Sequence, residues 1–500
     1  MLLEMAAEAG PDREAIRCGA AALSYGELLQ VARSAAAVFR DSGARSVAWT
    51  GEASVVTAVA FFGAAFAGLP YVPINYRLTE SEMLSLLDRL DAPYVFSDRA
   101  DFVDGRSSHN PQEFLGQLQH IGSADFDAAM TDPESVAVQL FTSGTTGVPK
   151  SAVLRNSHLV SYILGSVEFA SAGPEQAVLV SVPPYHIAGI SALMSATYSM
   201  RRIVLLPAFD AAEWLALAEN EKVTHAFLVP TMVTRIVDVL RARGAKTASL
   251  PHLSSIAYGG GKMPKQSILD ALAMFPDAGF TNAYGLTETS STISVLGPED
   301  HRAALESSDP VARQRLTSVG KPLPGIQIEI RDAAGKRLQP GESGGIFVRG
   351  EQVAGEYVEQ GSLLDEDQWF YTRDDGFLDE QGFLFLEGRS DDVIVRGGEN
   401  ISPGEVEQVL EEHPGVIEAA VVGIASEQWG EAVAAAVVPA TGETVSEESL
   451  QAFVRESLRS SRMPEKIVFV DQLPYNETGK LLRREVKRAL SDPDATQPCH

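Results

Sequence analysis

Residues 141–150 read Phe141-Thr142-Ser143-Gly144-Thr145-Thr146-Gly147-Val148-Pro149-Lys150. Hydroxyls, two glycines and a lysine packed between apolar segments suit one task, the holding of a polyphosphate. The run Val136-Ala137-Val138-Gln139-Leu140-Phe141 before them reads as a short buried strand. The glycine segment should then leave a strand end as a loop whose backbone N–H groups converge on phosphate oxygens. It is not a Walker-type P-loop: counting from Gly144, Pro149 stands where a glycine should precede Lys150, and no helical pattern opens behind the lysine. A Ser/Thr/Gly surface loop without a ligand is the plain alternative.

Tyr284-Gly285-Leu286-Thr287-Glu288 combines an aromatic face, a close-approach glycine, a hydroxyl and a carboxylate within five residues. Mg²⁺ prefers oxygen ligands and usually binds through one or two carboxylates plus substrate phosphates. Standing alone, the Thr-Glu pair would more often be a helix cap. Asp374 is a carboxylate able to accept two hydrogen bonds at once. Lys480 lies in a Gly-Lys turn after Leu473-Pro474 and before a basic helical stretch, 481–488. A lysine ammonium is a compact charge suited to bridging an incoming carboxylate and an α-phosphate.

The 141–150 stretch resembles the phosphate-binding signature of the adenylate-forming superfamily, which holds the AMP-forming acyl-CoA synthetases, the adenylation domains of peptide synthetases and the luciferases. Four further segments match in the expected order and carry the resemblance from about residue 140 to 480. They are Tyr284 to Glu288, Tyr371-Thr372-Arg373-Asp374, Gly388-Arg389-Ser390-Asp391-Asp392 running into Gly397-Gly398-Glu399-Asn400-Ile401-Ser402-Pro403, and Asn476-Glu477-Thr478-Gly479-Lys480. The resemblance implies a ligase that joins an acid to ATP as acyl-AMP, releasing pyrophosphate, after which the CoA thiol displaces AMP. ATP, Mg²⁺ and CoA are the implied cofactor and cosubstrates.

By the same resemblance Thr142, Ser143, Gly144, Thr145, Thr146 and Lys150 hold the β- and γ-phosphates. Glu288 is the magnesium residue, Thr287 meets the α-phosphate, and Asn282, Ala283 and Tyr284 line the adenine slot. Asp374 takes both ribose hydroxyls, Arg389 is a second nucleotide anchor, and Lys480 is the catalytic lysine of adenylation. Three positions depart from the family pattern: Ser151 and Arg373, where glycine is usual, and Val395, where lysine is common. Arg373 is expected to point outward.

Amino-acid-activating relatives carry an aspartate where His186 falls, to pair with the substrate's ammonium; its absence makes an α-amino acid a poor substrate. His186 is instead expected to flank the acyl pocket and the thiol's path, so it joins Lys480 and Glu288 as a catalytic candidate. Ile187, Gly189, Val229, Tyr258, Gly259, Gly260 and Gly261 would make an apolar, roomy pocket, since residues without side chains leave space. No cation there awaits a second carboxylate, so a hydrophobic monocarboxylic acid is expected. Arg396, Gly397 and Gly398 resemble the loop that lines the pantetheine tunnel once a small domain turns about Asp391.

At 500 residues the chain exceeds the size of one growing core, and alternating strand and helix patterns predict α/β layers around mostly parallel sheets. A small β-barrel is expected after residue 318, and a mobile α+β domain after the junction at Gly388 to Asp391. The expected division is 1–389 for the large domain, 390–490 for the small one and 491–500 for a disordered tail. The apolar run 54–67 is too short to cross a bilayer and reads as a buried helix. A net charge of −27 argues against nucleic acid or an anionic membrane as partner. Two cysteines, Cys18 and Cys499, indicate neither a disulfide framework nor a cysteine metal site, and with no signal-peptide pattern a cytoplasmic setting is expected. A carrier-protein phosphopantetheine in place of CoA, a homodimer, and a non-catalytic nucleotide sensor stay open; joint retention of Lys480, Glu288 and Asp374 argues against the last.

Overall fold

The computed structural model describes residues 1–99, 108–121, 132–142, 149–440, 445–476 and 479–491. The expectations for Ser143, Gly144, Thr145 and Thr146, and for a disordered tail, lie outside the described residues.

Two sheets build the large domain. The nine-stranded one runs Lys321–Pro322, Ser291–Leu296, Gly279–Leu286, Ser255–Gly259, His225–Leu228, Ala177–Val180, Arg202–Leu205, Glu14–Cys18, Ala21–Ser24. Its six middle strands are parallel. They are short and apolar because helices cover the faces of a parallel sheet. The eight-stranded sheet centres on Lys150–Arg155, Val136–Thr142, Tyr71–Pro73, Ser46–Trp49 and Pro93–Phe96. The predicted strand 136–141 is present as Val136–Thr142, and it returns at once as the antiparallel strand Lys150–Arg155. Thr142 and Lys150, at the two ends of the phosphate segment, therefore face each other in register.

The 54–67 run folds as the helix Val55–Ala67, capped by Ser54 at its start and by left-handed Gly68 at its end. It is buried on nearly all sides, between the sheets. Thirteen residues rise only about 20 Å, and among the described residues no helix is long and apolar enough to cross a membrane.

The β subdomain after residue 318 takes the form of a four-stranded antiparallel sheet, Gln327–Arg331, Gly344–Arg349, Phe370–Leu378 and Leu384–Arg389. Its two outer strands do not pair with each other, so the ladder stays open rather than closing into a barrel. The free edge of Leu384–Arg389 is satisfied instead by the backbone of Val319 and Gly320, which exchange hydrogen bonds with Leu384. The chain leaves this sheet at Arg389, makes a single tight turn over Ser390–Asp392, and enters a different sheet at Ile394–Arg396. That second sheet holds the long hairpin Val416–Ser426 and Gly430–Pro439 and carries the helices Pro403–Glu412 and Glu447–Ser457 around a core of its own.

Gly320 fastens the four-stranded sheet to the nine-stranded one. Its φ is +78°, and a Cβ there would stand 1.8 Å from the Val295 carbonyl oxygen. A left-handed L-residue alone costs about 1–2 kcal/mol, and the clash is with backbone that cannot move aside. Gly320→Ala should lower the urea midpoint of unfolding with little change in slope; an unchanged midpoint would show that the two sheets dock without this contact.

Candidate active site

Parallel strands deliver most of the site. Leaving the C-terminal ends of four neighbouring strands are Ser181 to His186, Val229, Gly259 to Lys262, and Thr287-Glu288. Open α/β sheets bind ligands at those ends, where loops diverge and backbone groups are unpaired.

Asp374 is the most constrained group. Its side chain is 14% exposed. Tyr284 donates its hydroxyl to Oδ2 at 2.6 Å, and the Arg389 guanidinium lies 3.5 Å from Oδ1. Burial raises the carboxyl's pKa, while Arg389 and the Tyr284 hydroxyl pull it back down. Burial and then Asp374's charge hold the Tyr284 phenol well above its usual value, so it remains a donor. Arg389 Nε is buried without a hydrogen-bond partner, an unfilled donor beside a carboxylate able to accept more bonds. Ribose hydroxyls and a phosphate ester fit that pairing. Tyr284, expected to line the adenine slot, is only 9% exposed and packs its ring among Ile293, Val319 and Ile346. Asn282 spends its amide on the Ser318 carbonyl, and Ala283 lies in register with Gly259.

Glu288 sits on the one-turn helix Thr287–Thr289. Its backbone carbonyl accepts from Ala354 and Gly355, and its Oε1 accepts the Tyr357 hydroxyl. Tyr357 belongs to the Glu356–Tyr357 strand, which pairs with Lys150–Arg155 beside the phosphate hairpin. Burial and the Glu288 charge push its phenol up. Lys150 Nζ lies 5.6 Å from the centre of the same ring and donates to Gln360 Oε1 at 3.3 Å. Among the described residues no cluster of three His, Cys, Asp or Glu could hold a metal by itself. Among the described residues the second oxygen of the Glu288 carboxylate has no hydrogen-bond partner, which suits Mg²⁺ carried in with a polyphosphate. Tyr357 was missed in the sequence, where Gly355-Glu356-Tyr357 carries no chemical pattern.

Lys480 comes from the small domain. Its turn is closed by Asn476, whose backbone N–H and side-chain oxygen bond the Lys480 carbonyl and N–H at 2.9 and 2.8 Å. Gly479 rests against Val229 and Thr231, and a Cβ at Gly261 would meet the Gly479 carbonyl at 2.5 Å. Desolvation in the cleft and then Arg389 push the lysine's pKa down, whereas Asp374, Asp392 and Glu288 pull it up. Residues from four of the sequence segments thus converge on one cleft.

The acyl residues are more dispersed. His186 precedes the helix Ile187–Ser199, its ring 4.5 Å from that of Tyr185, and Ile187 opens the helix. Gly189 packs on Pro183 and borders an apolar cavity of about 40 Å³ between this helix and Val55–Ala67. Tyr71 lines that cavity, and among the described residues its buried hydroxyl has no hydrogen-bond partner. Two expectations are corrected. Tyr258 is fully buried with its hydroxyl 2.9 Å from His301 Nε2, because strand alternation turns its side chain to the face opposite Ala257. Val229 is covered by Gly479 of the small domain, so it helps to seat the Lys480 turn. Of the glycines, Gly259 allows the close register with Ala283, Gly260 follows it, and Gly261 receives Gly479.

On the small domain, Arg396 stacks over Trp429 at 4.6 Å and pairs with Glu465 at 2.6 Å. Gly397 lies against Trp429, and a Cβ at Gly398 would meet only open space. Arg373 does not simply point outward: its Nη1 lies 3.9 Å from Asp391 Oδ2, on the turn between the domains. It adopts a φ of +63°, a left-handed conformation costing about 1–2 kcal/mol in a non-glycine residue.

Tyr284→Phe should raise the KM for ATP roughly tenfold, since a hydrogen bond to a charged group contributes about 1.5–3 kcal/mol. The KM for the acid should hardly move. An unchanged ATP KM would show that Asp374 is oriented by Arg389 alone.

The chain matches the family of AMP-binding enzymes over residues 3–358 and the AMP-binding enzyme C-terminal domain over residues 405–480. It is 31% identical to a fatty acid–[acyl-carrier-protein] ligase of Streptomyces coeruleorubidus, over 95% of this chain and 93% of that protein. It is 30% identical to a feruloyl-CoA synthase of an Amycolatopsis species, over 96% and 97%. The ATP-bound crystal structure of MatB from Rhodopseudomonas palustris superposes with a TM-score of 0.85 at 26% identity, covering 99% of this chain and all of that one. The chain therefore belongs to the AMP-binding enzymes, the adenylate-forming ligases.

Proposed function

We propose that this enzyme activates a hydrophobic monocarboxylic acid and passes the acyl group to CoA. The observation that carries the reading is the placing of Lys480 in one cleft with Asp374, Arg389 and Glu288. Asp374 and Arg389 hold the ribose, and Thr142 and Lys150 face the terminal phosphates. The substrate carboxylate attacks the α-phosphorus and pyrophosphate leaves with the bond's electrons. Lys480 bridges the two anions as charge builds, which is worth most when the donor is already in place. Mg²⁺ bound at Glu288 with the nucleotide would neutralise phosphate charge. In the second step the small domain turns about Asp391 and brings Arg396, Gly397 and Gly398 to the adenylate. The CoA sulfur attacks the carbonyl carbon past His186, its proton goes to solvent, and AMP leaves.

An apolar lining at Gly189, Ile190 and Leu193 supports a hydrophobic acid, and the two curated relatives act, by name, on a fatty acid and on ferulate. Their acceptors differ, a carrier protein in one and CoA in the other. The sequence shows no obvious basic docking patch for an acidic carrier, which favours CoA. The reading places the enzyme in the cytoplasm, with ATP and CoA, and does not require a second copy.

Lys480→Ala should reduce acid-dependent pyrophosphate release by at least about a hundredfold, while thioester formation from supplied acyl-adenylate stays near wild type. Equal losses in both half-reactions would overturn the role given to Lys480. In a panel of acids scored by pyrophosphate release, fatty and bulky cyclic acids should outperform acetate, dicarboxylates and amino acids. Several should be accepted, because an apolar pocket discriminates by only about 1–3 kcal/mol per methylene. Acetate or an amino acid as the best substrate would refute the pocket and leave the nucleotide chemistry standing.

A further inference from the structure

Lys262 follows the three glycines of the large domain, and the chemistry above gives it no task. Its ammonium crosses to the small domain. Nζ lies 2.9 and 3.1 Å from the two carboxylate oxygens of Glu411, and 3.8 Å from Glu407 Oε2. Both acids stand on the helix Pro403–Glu412.

The two sides of this contact are hydrated unequally. The Lys262 side chain is 52% exposed, those of Glu411 and Glu407 only 13% and 2%. Glu407 is satisfied inside its own domain, by Arg483 through both carboxylate oxygens and by the Val421 N–H. Glu411 is not so placed. Burial and the negative neighbour Glu407 raise its pKa, and Lys262, with a backbone hydrogen bond from Ala419, opposes them. A further buried acid, Glu418, faces the same side and is held by the Tyr475 hydroxyl. The large domain therefore supplies the cation that Glu411 lacks at home.

The position of the pair gives it meaning. Lys262 is one residue beyond Gly261, and Gly261 is the residue that packs on Gly479, one residue before Lys480. Two backbones touching at glycines gain little energy and would let the turn slide. An ion pair with a partly dehydrated carboxylate holds one orientation.

We propose that Lys262 is a positioning residue for adenylation. Its pair with Glu411 latches the small domain in the pose that carries Lys480 to Asp374 and Arg389, and it opens when the domain turns to present Gly397 and Gly398. The proposal rests on the two-step reading above. A bistable domain is biased by whatever binds one arrangement better than the other, and here the enzyme supplies that bias from its own surface.

The test compares Lys262→Met, which keeps the aliphatic stem, with Lys262→Arg and with the charge exchange Lys262→Glu/Glu411→Lys. In Lys262→Met, single-turnover acyl-adenylate formation should fall roughly two- to fivefold, the scale of a half-exposed ion pair. Thioester formation from supplied adenylate should hold or rise, and the KM for ATP should stay unchanged. Lys262→Arg and the charge exchange should recover adenylation. Electron–electron resonance between spin labels at exposed Arg243 and Glu456, with Cys18 and Cys499 changed to serine, reads the domain pose without substrate. The methionine variant should broaden the distance distribution and the arginine variant should not. Equal loss in both half-reactions, or an unchanged distribution in Lys262→Met, would overturn the latch. A wild type that releases no pyrophosphate with any acid would sink the reaction instead, and the distance measurement would still decide the latch.

Discussion

A carboxylate taken out of water must be paired or give up its charge, and Asp374 is the point where this chain meets that demand. Its partners come from separate parts of the fold. Tyr284 rises from the nine-stranded sheet, and Arg389 ends the four-stranded sheet one residue before the turn to the small domain. The same carboxylate draws the Lys480 ammonium when the small domain docks. One buried charge thus couples two sheets, the turn Ser390–Asp392 and Lys480. Moving any of these elements leaves a charge unanswered, so the arrangement is held more firmly than the contact area alone would hold it.

Glu288 does the corresponding work between the two large sheets. Its carbonyl receives the N–H groups of Ala354 and Gly355 and its carboxylate receives Tyr357, all on the segment that pairs with the strand behind the phosphate hairpin. Glu288 and Lys150 are consequently tied to one backbone unit.

Arg373 shows how a departure from the family pattern is absorbed. A glycine would take its left-handed conformation without cost; the arginine pays in strain and sends its guanidinium to Asp391. Beside it Tyr371 and Asp375 bond the Ser390 hydroxyl. Alternate side chains of one strand therefore grip the turn Ser390–Asp392 that joins the two domains.

Much of this was legible in the sequence. Runs of apolar residues gave the strands and the buried helix 55–67 within a few residues, since burial on both faces of a parallel sheet leaves that pattern. The residues proposed for phosphate, ribose, metal and adenylation could be picked out because residue type and short spacing tie each to a chemistry: a carboxylate for two hydroxyls, a lysine for two anions, glycines for close approach. The sequence could not say which way a side chain turns or what covers it. Tyr258 looked like pocket lining and is core, because strand register put it on the far face; Val229 looked like acyl wall and is seat for Gly479. Tyr357 and Lys262 carry no local pattern, as their partners lie 69 residues or more away in the chain. Local chemistry fixes which residues can act, and only the packing of sheets and domains decides which groups lose water together, and so which charges must find each other.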